Sequence, residues 1–400
     1  MDIRRNDMKV IKVMWIIAIL AIYVFGQNDQ GNLSVRMAES VMERHPNVYS
    51  NWNYVTGTVL KGFEAVWRAT GDQRYFDYIK NTIDKIVDEE GRIKGYRVEE
   101  YNIDQVNSGR MLLFLYKETG EKKYKKAADL VRSQLDGQPR ISLGGFWHKK
   151  IYPWQMWLDG LYMGSPFYAE YSKIFDEEDK FDDVVNQFTL INEHLKDEKT
   201  GLYYHAWDES KQMFWADKET GLSECFWGRG LGWYTMALVD VIEYFPEKYS
   251  GRDQLLAILN SLAETITRYQ DTTGLWWQVL DKANKEGNYL EGSASSMFVY
   301  ALAKAINSDY IDEKFLETVN KGYHGLINHL IYEDSRHQIN LLRICRGAGL
   351  GGNYIDKIRD GSYEYYVYIE PIVPNDGKGV GPFMMGCVEI EKMKKIGKIK

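Results

Sequence analysis

The feature that most constrains this chain is an alternation of two kinds of helix-period segment. One kind opens on a polar or small residue and is apolar nearly all round, over residues 54–70, 104–119, 159–175, 230–244, 292–307 and 379–393. The other carries a charged face, over residues 32–44, 75–89, 122–134, 180–195, 254–269 and 312–332. A helix that is apolar on every side is buried, and one with a single polar face lies at the surface. Six buried and six surface helices in alternation close most simply into a ring, the (α/α)6 barrel, with an inner and an outer set. The alternative is an open α-solenoid with capped ends. Local echoes support a repeat: TGDQRYFDYI from Thr70 and TGEKKYKKAA from Thr119 follow the first and second buried segments. DEKTGLYYHAW from Asp197 and DTTGLWWQV from Asp271 read as short hairpins or loops at one end of the molecule. In a ring, the starts of the inner helices gather around one axial pocket. No Pro-, Ser- or Gly-rich linker divides the chain, so residues 27–400 are expected to form one catalytic domain.

Composition narrows the function classes. The net charge of −7 offers no basic face for nucleic acid. Cys225, Cys345 and Cys387 are odd in number and widely spaced, which gives neither a disulfide framework nor a metal knuckle. Seven scattered histidines contain no HExxH, so no catalytic transition metal is expected. Twelve Trp and 29 Tyr lean toward carbohydrate, because aromatic faces stack on sugar rings, although such residues also fill cores. Arg4, Arg5, Lys9 and Lys12 precede an apolar run, 13–25, which is short for a membrane span. Residues 1–26 thus read as a signal peptide, and the mature protein is expected in the periplasm or outside the cell, with no membrane partner after cleavage.

The chemistry centres on 152–169, YPWQMWLDGLYMGSPFYA, where Asp159 is the only acid before the helix body in a dense aromatic run. Two readings stand. Asp159 is a helix N-cap, or it is an acid whose aromatic walls raise its pKa and suit it to donate a proton. Asp104 opens the preceding inner segment at the equivalent place, so two carboxylates can meet at neighbouring helix mouths, with like charge and burial separating their pKa values. The fourth inner segment begins FWGRGLGW, where Trp227, Arg229 and Trp233 surround three glycines. Arg229 either pairs with one of the aspartates or forks onto an anionic sugar. His148 and His205 are structural, or they hydrogen-bond the ligand. Asp208 is expected to fix its hairpin through an Asx turn.

GGFWHKKIYPWQMWLDGLYMGSPF, HAWDES, FWGRGLGWYTMALVDV, EGSASSMFVYAL and PNDGKGVGPF occur in this order. Together they resemble the unsaturated rhamnogalacturonyl hydrolases, glycoside hydrolase family 105, from about residue 54 to residue 393. The resemblance implies the (α/α)6 fold, Asp159 as general acid and base, and Asp104 as the second pocket carboxylate. It also implies a sugar site lined by Tyr54, His148, His205, Trp227, Arg229 and Trp233. It departs at Leu231, where many relatives carry a polar residue. The implied substrate is a lyase-generated oligosaccharide with a C4=C5 unsaturated uronate at its non-reducing end, cleaved after protonation and hydration of that double bond, and the implied reaction needs no metal or organic cofactor. The related unsaturated glucuronyl hydrolases share the fold and parts of the pattern. An inverting hydrolase of saturated glycosides, an epimerase of the same fold and a non-catalytic binding ring are the other readings.

Overall fold

The computed structural model describes residues 32–46, 49–354 and 357–399. The segment read as a signal peptide lies outside them. The described chain forms twelve α-helices: α1 (Leu33–Arg44), α2 (Tyr54–Thr70), α3 (Gln73–Asp84), α4 (Gly109–Thr119), α5 (Lys122–Gly137), α6 (Leu158–Ile174), α7 (Phe181–His194), α8 (Gly228–Ile242), α9 (Ser250–Arg268), α10 (Gly292–Asn307), α11 (Leu316–His329) and α12 (Gly377–Lys395). The even-numbered helices pack each on the next, and α12 packs back on α2, which closes the ring. The odd-numbered helices lie outside against them. The architecture is the (α/α)6 barrel, and the open solenoid is excluded by the α12–α2 contact. Every residue of α8 is buried, as its all-round apolar sequence requires. Among the described residues no helix is long and apolar enough to cross a membrane.

Local chemistry explains where the helices begin and end. Asn32 and Asn53 cap α1 and α2 by accepting from Val35 N and Thr56 N. The TGD and TGE echoes are helix stops: Gly71 and Gly120 adopt left-handed φ of 70° and 71° and close α2 and α4. The closing seam needs a small residue, because a Cβ on Gly381 would lie 2.4 Å from Thr58 O. One boundary differs from the sequence reading. Asp104 does not open α4. It sits in a separate 3-10 turn, Ile103–Val106, and α4 starts at Gly109. Asn102 caps that turn by accepting from Asp104 N, so the chain enters the barrel through a tighter coil before the helix proper.

A charged knot ties the inner helices together. Asp240 on α8 is fully buried, with Arg110 Nη1 of α4 at 2.9 Å and Lys304 Nζ of α10 at 2.8 Å. Tyr300 Oη donates to it at 2.6 Å, and Arg110 Nη1 reaches Tyr162 Oη of α6 at 3.3 Å. Burial alone would raise the Asp240 carboxyl, but Lys304 and Arg110 hold it well below the usual carboxylate range. Two outer features sit at the end where the inner helices begin. Strand β1 (Gln155–Trp157) pairs antiparallel with β2 (Ala206–Asp208), in register Trp157↔Ala206. As expected, Asp208 makes an Asx turn, and it does so at the end of β2, accepting from Ser210 N, Ser210 Oγ and Met213 N. All three cysteines are buried and free.

Removing one member of a buried ion cluster leaves uncompensated charge. Asp240→Asn is therefore expected to cost about 3–5 kcal/mol in chemical denaturation. An unchanged denaturation midpoint would show that the knot does not hold the barrel.

Candidate functional site

At the mouth where the inner helices start lies a cavity of about 200 Å³, into which Tyr54, Asp104, His148, Lys149, Asp159, Trp227, Arg229, Trp233 and Lys378 converge. Tyr54, Asp159, Arg229 and Lys378 come from the first turns of α2, α6, α8 and α12. The ring thus gathers residues far apart in sequence, and both predicted carboxylates open on one space.

Asp159 does not cap its helix. Trp157 occupies the cap position without a side-chain bond, and Asp159 is the second residue of α6. Its Oδ2 faces Nε2 of His205 at 3.2 Å, and its side chain keeps 16% exposure. His205 is fully buried. It stands behind Asp159 rather than on the cavity wall, because β2 pairs beside β1 and Leu158 N donates to His205 O at 3.0 Å. Its Nδ1 is 2.6 Å from Oη of Tyr366, a residue the sequence reading did not single out.

Asp104 is held differently. Lys149 Nζ lies 2.6 Å from its Oδ2, and His148 Nε2 lies 3.3 Å from its Oδ1. Burial works to raise this carboxyl, but Lys149 and His148 outweigh it and hold it below the usual range. The close charge on Asp104 is therefore Lys149 rather than the second aspartate. Burial brings the His148 imidazole down to about 4, despite the opposing pull of Asp104. Its ring lies nearly parallel to Trp157, with centroids 4.5 Å apart, and Trp157 lies nearly parallel to Tyr152 at 5.1 Å.

Arg229 forms no pair with either aspartate. Its Nη1 donates to Cys345 O and lies 3.4 Å from Ser293 Oγ, and its Nε is buried without a partner among the described residues. Its guanidinium sits 4.8 Å above the Trp227 ring. Lys378 stands nearby, paired to Asp376 at 2.7 Å, and burial followed by the Arg229 charge lowers its ammonium. Arg359 adds a further cation to the wall. Trp227 and Trp233 are sealed to 1% exposure. Trp227 packs on His205 and Arg229, and Trp233 stacks on Tyr162 at 4.8 Å, so their faces are taken up by protein contacts. Leu231 is wholly in the core. Of the residues sequence reasoning missed, Lys149 directly follows His148 in HKK and Lys378 lies within PNDGKGVGPF, both inside motifs already quoted, while Arg359 carries no local signal beyond its charge.

Comparison with known proteins gives concordant results. The family model of Glycosyl Hydrolase Family 88 matches residues 33–394. A solved structure of a C. acetobutylicum glycoside hydrolase from family 105 is 48% identical, covers 90% of this chain and 99% of its own, and superposes with a TM-score of 0.87. Protein Atu3128 of Agrobacterium fabrum is 36% identical over 231 residues, 57% of this chain and 97% of that protein. The unsaturated rhamnogalacturonyl hydrolase YesR of Bacillus subtilis is 30% identical over 257 residues, 63% of this chain and 70% of that protein.

His148 is expected to stay neutral at pH 7 and to take up its proton only near pH 4 in an NMR titration. The unfolded chain protonates first, near about 6.5, so stability contributed at this site falls as pH drops from there through 4. Asp104→Asn removes the charge that favours the imidazolium and should push the midpoint lower still. A midpoint that rises in Asp104→Asn contradicts the geometry described.

Proposed function

This chain belongs to glycosyl hydrolase family 88 and is a hydrolase of unsaturated uronosides, and we propose that it acts on rhamnogalacturonan-type oligosaccharides with Asp159 as the proton donor. One observation carries the assignment of Asp159. Of the two carboxyls in the cavity, Asp104 is bound to a lysine and Asp159 is not. A saturated glycoside needs two working carboxyl groups, one as acid and one as base or nucleophile. Asp104, held ionised by Lys149, is a weak base. A vinyl ether needs only one carboxyl, which acts as acid and then as base.

The substrate carries a C4=C5 double bond conjugated with its carboxylate and joined to the ring oxygen. Asp159 gives its proton to C4, and the electron deficit falls on C5, where the ring oxygen shares it. Water adds at C5 and loses its proton to the Asp159 carboxylate, which restores the acid. The hemiketal opens by cleavage of the C5–ring oxygen bond. The hemiacetal left at C1 then expels the aglycone with its glycosidic oxygen. Arg229 is suited to the uronate carboxylate, since its Nε has no partner among the described residues and it already rests on Trp227. Lys378 and Arg359 add positive potential to the same wall. Tyr54 and His148 supply hydrogen-bonding edges, and Asp104 with Lys149 holds the opposite wall. The basic and apolar leader sequence supports export to the periplasm or beyond. A mature N-terminus near Gly26 or Gln27 in the periplasmic fraction is the outcome that tests it.

Asp159→Asn should lower turnover by about 10²–10⁴-fold with the fold intact, measured as bleaching of the ultraviolet band of an unsaturated rhamnogalacturonan disaccharide. Near wild-type bleaching would remove Asp159 from the chemistry. Arg229→Ala should weaken binding of the unsaturated uronide far more than that of its neutral, carboxyl-reduced analogue. An equal effect on both removes Arg229 as the carboxylate anchor.

A further inference from the structure

Behind Asp159 runs a buried chain of polar groups that the reaction scheme has not yet used. Tyr366 and His205 are both fully excluded from solvent. Tyr366 belongs to a π-helical turn, Tyr365–Ile369, a rare conformation that re-aims side chains. Its hydroxyl lies 2.6 Å from His205 Nδ1. On the other side of the imidazole, Nε2 lies 3.2 Å from Asp159 Oδ2. Both of these atoms are buried and neither is in a formed hydrogen bond among the described residues, so their 3.2 Å approach is a close polar contact between two otherwise unpartnered atoms. The Tyr366 carbonyl is held by Gln278 Nε2 at 3.2 Å, and Gln278 Oε1 accepts from Trp227 Nε1 at 3.2 Å. The turn is therefore anchored to the base of α8.

Proton counting fixes the direction of this chain. A phenol has one hydrogen to donate, and burial pushes the Tyr366 phenol far above its usual range, so the hydrogen stays on oxygen. Among the described residues the hydroxyl's hydrogen-bonding neighbour is His205 Nδ1. Donation to Nδ1 places the imidazole hydrogen on Nε2, where it faces Asp159 Oδ2. The opposite tautomer would direct a lone pair at the carboxylate and leave the phenol hydrogen without an acceptor among the described residues.

We infer that Tyr366 is a positioning residue: it fixes His205 in the Nε2–H tautomer, so that Oδ2 of Asp159 serves as an acceptor and Oδ1 becomes the oxygen that carries the reacting proton. A carboxyl group has two oxygens and, when acidic, one hydrogen. An N–H 3.2 Å from one oxygen disfavours the hydrogen there and directs it to the other. Oδ2 is sealed from solvent while the Asp159 side chain as a whole retains access to the cavity. The tautomer lock thus turns the acidic hydrogen outward toward substrate. This inference rests on Asp159 being the acid, but its first test does not.

That test is the nitrogen NMR of histidine-labelled full-length protein at neutral pH, with the His205 signals assigned by their loss in His205→Asn. The expected result is hydrogen on Nε2 and a bare Nδ1 in the wild type, and a mixed or reversed tautomer in Tyr366→Phe. Hydrogen on Nδ1 in the wild type overturns the inference whether or not the protein turns over unsaturated uronides. The kinetic arm uses Tyr366→Phe, which keeps the ring and loses only the hydroxyl. Its kcat should fall by about tenfold, the scale of one lost hydrogen bond, with KM nearly unchanged. A kcat equal to that of the wild type, or a loss confined to KM, contradicts the positioning role. A wild type inert on unsaturated uronides would instead count against the assigned substrate, and the tautomer measurement would still decide the question of Tyr366.

Discussion

The buried knot around Asp240 is the interaction on which the geometry of the site depends. Four inner helices meet there through Arg110, Tyr162, Asp240, Tyr300 and Lys304. An inner helix that is apolar all round has no preferred rotation from hydrophobic burial alone, because every face is equally content inside. A charged cluster with directional bonds removes that freedom. Fixing the rotation of α6 and α8 also fixes where their first turns aim, and Asp159 and Arg229 sit in those turns. Whether such clusters add net stability varies between proteins, but a broken one is costly, and here its geometric role is what the site uses.

At the catalytic mouth the same physics is used to make two aspartates unlike. Both are on the cavity wall, yet one is clamped by Lys149 and His148 and the other faces His205, whose far ring nitrogen lies against the Tyr366 hydroxyl. Pairs of acids in different environments are how one site assigns distinct roles to one residue type. On the proposed reading this division leaves one carboxyl for proton transfer, which suits an electron-rich double bond and does not suit displacement at an anomeric carbon.

The barrel was largely legible in the sequence because helical period and all-round apolarity are local signals. The segments 54–70 and 292–307 coincide with α2 and α10. The start of α4 was not legible, because a 3-10 turn at Ile103–Val106 has the same composition as a helix start and differs only in its hydrogen bonds. The site was legible where a motif is contiguous, as for Asp159 and Arg229. The roles of its neighbours were less so. His205 looked like a ligand-facing residue, and only the strand pairing of β1 with β2 reveals that it stands behind Asp159. Trp227 and Trp233 looked like stacking platforms, and their faces meet protein instead. Tyr366 lies 161 residues beyond His205 in a tyrosine-rich run with no distinguishing pattern, so its contact exists only in three dimensions.

The central claim is that a proton from Asp159 goes to C4 and that water goes to C5. Running the reaction in heavy-oxygen deuterated water and sampling the product at early times tests both at once. The account requires one deuterium at C4, delivered to a single face, with heavy oxygen entering at C5 and an aglycone that retains its original oxygen. A product that keeps C4 unlabelled and carries heavy oxygen at C1 would mean ordinary glycosidic hydrolysis and would contradict it.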